Sequence, residues 1–448
     1  MISCCFSAKN LHWIYDWIIL CSCFSLKPTT WPLYSKKPLL LAWNVPTQDC
    51  GSRHGVSLQL DQFQIVASPS KTLVRQNLTF FYPDRLGLYP YFKTDATPVR
   101  GGLPQIASLS QHLREMQKNV DKYIPNRGAV GLAVIDWEEW RPLWVRNYGR
   151  RHMYREQSFE LARQKNPTWS DDHAIRAAQL EFEEAAKKFM LETLRRGNRL
   201  RPNTLWGFYL YPDCYNHNYM ASLWGYKGQC PSYDMARNER LRWLWSESTA
   251  LFPSIYMGKA LRSSSPGRQF VRHRVREGIR LSSFGEEFSR PVHYSMLQLN
   301  PLFQFDLVST IGESVALGAA GIIMWGDVTH AKNKTTCSDL NAYLQGTLSQ
   351  YLLNVSTAAE LCSQTLCGSH GRCIRKRWDK DVYLHLNPLT HRIERRKGKL
   401  TVIGKLGDSD KVLLDKNFQC QCGGVHPGQV TSLSLKILIE DCVPRVKE

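Results

Sequence analysis

Gly131-Leu132-Ala133-Val134-Ile135-Asp136-Trp137-Glu138-Glu139-Trp140-Arg141-Pro142 is the stretch whose reading decides the fold. An uninterrupted small-and-apolar run reads as a strand buried on both faces, which belongs in a parallel sheet covered by helices. Two acids close the run. Asp136 and Glu138 stand two apart at the strand end, so their side chains leave on the same face, with Cα atoms roughly 6.5–7 Å apart. Both cannot ionise freely at that distance. The pair is therefore expected to hold one carboxyl protonated to higher pH than a lone glutamate would, as a general acid requires. The bland alternative is two solvated acids capping a strand.

The same texture recurs outward from this segment. Leu39-Leu40-Leu41-Ala42-Trp43-Asn44, Leu205-Trp206-Gly207-Phe208-Tyr209, Pro253-Ser254-Ile255-Tyr256 and Ala320-Gly321-Ile322-Ile323-Met324-Trp325 are short apolar runs ending in polar or aromatic residues. Between two of them a helix is expected after Ser170, a good N-cap, with Asp171 and Asp172 favouring the dipole. Its buried stripe would be Ile175, Ala178, Phe182, Ala185 and Phe189, and its end would fall near Arg195-Arg196-Gly197. Strands alternating with helices predict an α/β fold, a (β/α) barrel whose active groups gather at the strand C-termini.

The chain has 448 residues, 43% of them hydrophobic, which excludes wholesale disorder. Its 58 Lys and Arg against 39 Asp and Glu leave +19, which points to a polyanionic partner. Nucleic acid fits that charge, but no nucleic-acid motif accompanies it. Fourteen cysteines cluster at the two ends, and sequons stand at Asn77, Asn333 and Asn354; together they favour the secretory pathway, with an extracellular, cell-surface or lysosomal destination. Zinc held by Cys362-x4-Cys367 and Cys420-x-Cys422 is the competing reading. Residues 1–37 read as a leader and candidate signal peptide. The chain ends on Arg445-Val446-Lys447-Glu448 without an apolar lipid-anchor signal, which leaves membrane association open.

Two acids on one strand end approach a glycosidic bond from a single side, so a nucleophile must come from elsewhere. A substrate N-acetyl carbonyl could serve. At this point the wording becomes specific. The run 131–142 closely resembles the signature of the animal hyaluronidases, as do Trp206-Gly207-Phe208-Tyr209-Leu210-Tyr211-Pro212-Asp213-Cys214-Tyr215-Asn216 and Ala319-Ala320-Gly321-Ile322-Ile323-Met324-Trp325-Gly326. Trp43-Asn44-Val45-Pro46-Thr47-Gln48-Asp49-Cys50 looks nearest to a lipid-anchored, cell-surface branch of that family. The resemblance runs from about Pro38 to Cys422.

The resemblance implies a glycoside hydrolase on a distorted TIM-like barrel, retaining configuration and cleaving hyaluronan and chondroitin without a cofactor or metal. Glu138 would be the general acid/base, and Asp136 would orient the N-acetyl group. Tyr209 and Tyr256 would hydrogen-bond that group, and Trp325 would wall its pocket. Asn44, Tyr82, Arg141, Ser254 and Arg274 match positions that line the cleft or support its acids. Cys50 would pair with Cys337, Cys214 with Cys230, Cys362 with Cys373 and Cys367 with Cys420. The implied partners are hyaluronan and related glycosaminoglycans. Some of Arg141, Arg146, Arg150, Arg151 and Arg155 would face the cleft mouth and attract them.

The resemblance further implies a catalytic barrel over 38–356, an EGF-like module over 357–424 and an atypical tail over 425–448. The segment from Arg290 to Phe305 is shorter than the family's strand and loop, which predicts a shortened or replaced strand there. The last cysteine of the module is missing after Gly424, which predicts an unpaired Cys422. A weak or inactive hyaluronan-binding, receptor-like protein is the alternative reading.

Overall fold

The structure is a computed structural model and describes residues 37–67, 74–284, 291–299 and 302–422. The leader and the tail expected from the sequence lie outside the described residues. Eight parallel strands carry the architecture: β1 (Leu40–Asn44), β2 (Ile65–Val66), β3 (Leu78–Phe81), β4 (Gly131–Ile135), β5 (Thr204–Phe208), β6 (Ala250–Leu251), β7 (Val292–Gln298) and β8 (Gly321–Trp325). One five-stranded sheet runs β2-β1-β8-β7-β6, and a three-stranded sheet runs β3-β4-β5. The two meet where Tyr209 bridges Phe252 in parallel and Thr249 N donates to Trp206 O at 2.9 Å. Gly207 makes that junction possible, because a Cβ there would lie 2.0 Å from the Ala250 carbonyl oxygen.

Alternation along the strands separates two environments. Leu40, Ile65, Phe80, Val134, Leu205, Ala250, Met296 and Ile323, one from each strand, join a single apolar cluster. The alternate residues face the helices. Phe81, Ala133, Ile135, Trp206 and Phe208 pack on α1 (Leu109–Tyr123) and α2 (Asp171–Leu200). Leu41, Trp43, Ile322 and Met324 pack with α3 (Ser265–Ser282) and α4 (Ser349–Cys367). Both faces of the strands are buried, which is why the runs read as continuously apolar.

Helix α2 begins as expected, with Ser170 Oγ accepting from His173 N. It continues to Leu200, however, beyond the expected stop at Gly197. Gly197 ends nothing: its bare face lies on the Trp206 ring, where a Cβ would come within 2.8 Å. The buried stripe includes Ala174, Ala178, Phe182, Ala186 and Phe189, whereas Ile175 is exposed and Ala185 half-buried. The expected stripe was one residue off at two positions, because the helix meets its neighbours on a face rotated from the one inferred.

The strand expected to be shortened is intact. β7 spans seven residues and pairs with β8 from Tyr294↔Gly321 to Gln298↔Trp325. The inference from length alone is therefore corrected.

All four expected disulfides are present: Cys50–Cys337, Cys214–Cys230, Cys362–Cys373 and Cys367–Cys420. They leave Cys362, Cys367 and Cys420 no thiolate to offer a metal. Cys422 is disulfide-bonded as well, which corrects its expected isolation. The segment after α4 forms two antiparallel ribbons, β9 (Gly371–Arg375) with β12 (Phe418–Cys422), and β10 (His391–Arg396) with β11 (Lys399–Gly404). Helix α4 runs straight through residue 357, and Leu384, Leu386 and Phe418 share the apolar cluster of β1 and β8. Glu313 ties the parts together by accepting from Arg272 Nε at 2.7 Å and by pairing with Arg375, all three side chains being buried. Among the described residues no helix is long and apolar enough to cross a membrane.

Candidate active site

The C-terminal ends of the parallel strands bring the expected residues together. Asn44 ends β1, Tyr82 follows β3, Asp136 and Glu138 follow β4, Tyr209 follows β5, Ser254 and Tyr256 lie beyond β6, and Trp325 ends β8. Backbone pairing continues past the strands and fixes their positions: Asp136 N donates to Phe81 O at 2.9 Å, and Tyr209 N donates to Ile135 O at 2.9 Å. Tyr82, Tyr209, Tyr256 and Trp325 lie directly on the inward cluster of eight strands, as its half-buried lid. Their rings are close-set. Tyr209 and Tyr256 have centroids 6.3 Å apart, and Tyr256 and Trp325 are stacked at 6.0 Å.

Electrostatics distinguish the two acids. Burial first, and then the neighbouring Glu138 and Glu139, push the Asp136 carboxyl up to about 7. The expectation that one member of the pair keeps its proton therefore lands on Asp136. The Glu138 side chain is 42% exposed and meets Arg141, whose Nη2 donates to Glu138 Oε2 at 3.2 Å. Arg141 Nη1 and Arg151 Nε each donate to the Glu138 carbonyl at 2.9 Å. Burial and the two acids also push Tyr209 up to about 12, so it stays a neutral hydroxyl that can donate. Tyr256 and Tyr82 are likewise raised by burial, and Asp136 contributes to both shifts.

The remaining expected residues support the floor. Arg274 is buried and does not open to the cleft; its Nε donates to Ser254 O at 2.7 Å, and its Nη1 binds Cys214 O and Asn216 Oδ1. It positions the loops after β5 and β6 against one another. Asn44 is buried, and its Nδ2 has no hydrogen-bond partner among the described residues. An unpaired buried donor costs about 1–3 kcal/mol, a cost that a bound acceptor would relieve.

Glu139 and Gln298 had no role in the sequence reading, and two arginines expected near the cleft mouth, Arg146 and Arg155, point elsewhere. Glu139 accepts from Glu138 N at 3.1 Å and shapes the acid turn. Arg146 is turned inward, 2.9 Å from Asp213 and 3.3 Å from the buried Asp234. Arg155 holds the carbonyls of Trp144 and Val145, so it braces the loop instead of facing the cleft. Gln298, opposite Trp325 in register, is the β7 counterpart of the other strand-end residues. Asp213 follows Tyr211-Pro212 in a quoted motif and was within reach of the sequence; the pairing of Arg146 with Asp234 was not, because nothing local links them.

A parallel α/β architecture with paired acids and an aromatic wall at its strand ends fits the class of glycoside hydrolases, and the family comparison supports that class. The chain belongs to the hyaluronidase family, whose profile, described as Hyaluronidase, matches residues 28–432. It is 46% identical to Hyaluronidase-2 of Mus musculus over 409 residues, covering 89% of this chain and 86% of that one. It is 43% identical to Hyaluronidase-4 of Homo sapiens over 418 residues, covering 92% and 86%. Among solved structures it resembles bee venom hyaluronidase in complex with a hyaluronic acid tetramer, with a TM-score of 0.58 and 26% identity over 70% of this chain and 98% of that chain.

Proposed function

We propose that this protein is an endo-β-N-acetylhexosaminidase that hydrolyses hyaluronan, and chondroitin more slowly, with retention of configuration. The observation that carries the reading is the pair of acids at one strand end, with buried Asp136 pushed up to about 7 beside the arginine-bound Glu138 under a lid of tyrosines. In the first step the proton held on Asp136 passes to Glu138, which donates it to the glycosidic oxygen as the C1–O bond breaks, leaving Asp136 ionised. The substrate's own acetamido oxygen attacks C1, giving an oxazolinium ion. The Asp136 carboxylate balances the positive charge that develops on the acetamido nitrogen, and the hydroxyls of Tyr209 and Tyr256 hold the group in place. Glu138 then takes a proton from water as the water opens the ring at C1, restoring both the acid and the configuration. Trp325 walls the acetamido pocket, and the +19 charge favours an acidic polymer.

The cyclic order of the eight strands and their shared inward cluster support reading the two sheets as arcs of one distorted barrel over 38–356. The two disulfide-braced ribbons support an EGF-like module over 357–424. Asn77 and Asn333 are exposed and Asn354 is half-buried, which makes the first two the better glycan acceptors. The secretory pathway is the matching compartment.

The test is Glu138→Gln in chain secreted from a eukaryotic host. Turnover of purified hyaluronan is expected to vanish while binding persists; wild-type turnover in this variant would overturn the assignment.

A further inference from the structure

The segment after α4 carries a charge that the reaction above does not use. Residues 391–406 hold Arg392, Arg395, Arg396, Lys397, Lys399 and Lys405 against a single acid, Glu394. All six cations are exposed. They stand on the ribbon of β10 and β11, which pairs from His391↔Gly404 to Arg396↔Lys399 and closes on the two-residue turn Lys397-Gly398. Like charges crowded on so short a ribbon repel one another, and a polyanion lying across them relieves that repulsion.

The backbone beneath the charges is fixed. Ile393 and Val402, opposite in register, pack on the cluster that α4 shares with β1 and β8. Arg395 Nη1 donates to Gly398 O and Nη2 to Gln345 O, each at 2.7 Å, which ties the turn to the segment before α4. Alternation puts Arg392, Glu394 and Arg396 together on the other face. Glu394 accepts from Arg392 Nε and lies 3.3 Å from Arg396 Nη2, so it holds the two guanidinium groups in place. Their Cα atoms are roughly 13 Å apart along the strand. A surface held in this way loses little freedom on binding.

One edge of the ribbon deepens into a cavity of about 100 Å³ against the loop ahead of β2. Arg395 and Lys399 line it with Gln59, Gln62, Gln345 and Ser349, and Asp61 is the one acid there. Two cations with amide and hydroxyl groups beside them suit a single small anionic group. Arg392, Arg396 and Lys397 are left to meet further anions of the same partner.

The chemistry of that partner follows from the density of charge. The turn carries no large apolar side chain to enter a bilayer, which disfavours a lipid surface. Hyaluronan offers one carboxylate per disaccharide. Cations set this closely, with planar guanidinium forks among them, match a polymer bearing several anionic groups on each repeat.

We propose that the ribbon of β10 and β11 is a docking surface for a sulfated glycosaminoglycan, separate from the cleft. Glu138 follows β4, in the other sheet from β1 and β8. The ribbon would hold the chain to a sulfated matrix while the acids remain free. The proposal goes beyond the hydrolysis inferred above and does not depend on it.

The experiment measures binding of the full secreted chain to immobilised heparin, to fully desulfated heparin and to phosphatidylserine vesicles. Heparin is expected to bind most tightly, with an affinity that falls as salt rises. Arg392→Gln combined with Arg396→Gln, Lys397→Gln and Lys399→Gln should lower heparin affinity about tenfold or more, the joint loss of four exposed charge contacts. Cleavage of a hyaluronan hexasaccharide by that variant stays at the level of the unaltered chain. Lys397→Gln with Lys399→Gln alone keeps the Glu394 pairs and should lose about threefold, a reading that survives if the fourfold variant does not fold. Arg114→Gln, Arg176→Gln, Lys187→Gln and Lys188→Gln together remove the same charge from exposed positions on α1 and α2, and should leave heparin affinity nearly unchanged. Equal losses in the ribbon and control variants would mean that net charge alone binds, which overturns the proposal. Unchanged heparin affinity in both ribbon variants overturns it too, as does tighter binding to vesicles or to desulfated heparin. Ribbon-dependent heparin binding by a chain that cleaves no hyaluronan would uphold the docking surface and overturn only the proposed function.

Discussion

Arg141 grips Glu138 at two points: Nη1 donates to its backbone carbonyl at 2.9 Å and Nη2 to Oε2 at 3.2 Å. The arginine is almost wholly buried while the glutamate remains 42% exposed, so a fixed fork orients an acid that stays open to the cleft. The two residues are three apart, and the turn that pairs them also carries Glu139 back onto Glu138 N.

Arg141→Lys tests that fork. A lysine keeps the charge but cannot bind carbonyl and carboxylate together in the plane of a guanidinium. Losing one charge-assisted hydrogen bond in the transition state should lower kcat about tenfold or more, with KM for hyaluronan changed far less. Steady-state kinetics with wild-type kcat would show that the fork does not position the acid.

The pH profile follows from the shared proton. Burial, and then the neighbouring Glu138 and Glu139, push Asp136 up to about 7. Below that pH the site holds a proton to donate; above it the proton is gone. kcat/KM on hyaluronan should therefore fall as pH rises through about 7. A rate independent of pH from acid to alkaline conditions would contradict the assignment.

Stability should move with the same group. An unfolded aspartate loses its proton near 3.8, whereas folded Asp136 keeps it to about 7. The folded state binds the extra proton in that window, so this contribution is present at acid pH and lost as pH rises through the folded value. Asp136→Asn removes the titration and should stabilise the fold above neutral pH by on the order of 2 kcal/mol. In acid it should do little. Thermal unfolding of both chains at acid and alkaline pH measures the difference, and an identical shift at both would refute the linkage.

Glu313 stands between Arg272 and Arg375 with all three side chains buried. Glu313→Gln leaves two buried cations without that counter-charge and should cost about 3–5 kcal/mol. Glu360→Gln, which breaks only the exposed pair with Lys37, should cost under about 1 kcal/mol. Equal losses in denaturant unfolding would show that burial does not govern these pairs.

What could be read without coordinates was whatever a local pattern carries. Continuous apolar runs announced strands buried on two faces. Asp136 and Glu138, two apart at a strand end, announced paired acids on one face, and the family wording announced the four disulfides. Ser170 announced the start of α2. Gly197 misled, because a glycine needed for contact with Trp206 looks locally like one needed to end a helix. The short count around residues 291–305 misled too, since length does not say whether a strand or its loop has been trimmed.

The sequence by itself determined the class of fold, the family and the identity of the acids, because each rests on residue order within a few positions or on long shared motifs. Only the tertiary structure decided which acid keeps the proton, since that depends on burial and on charges brought in by neighbouring segments. Only the structure placed Arg274 beneath the site, turned Arg146 inward to Asp213 and Asp234, and joined Glu313 to arginines 41 and 62 residues away. Desolvation and long-range pairing belong to the folded surroundings, and no local pattern records them.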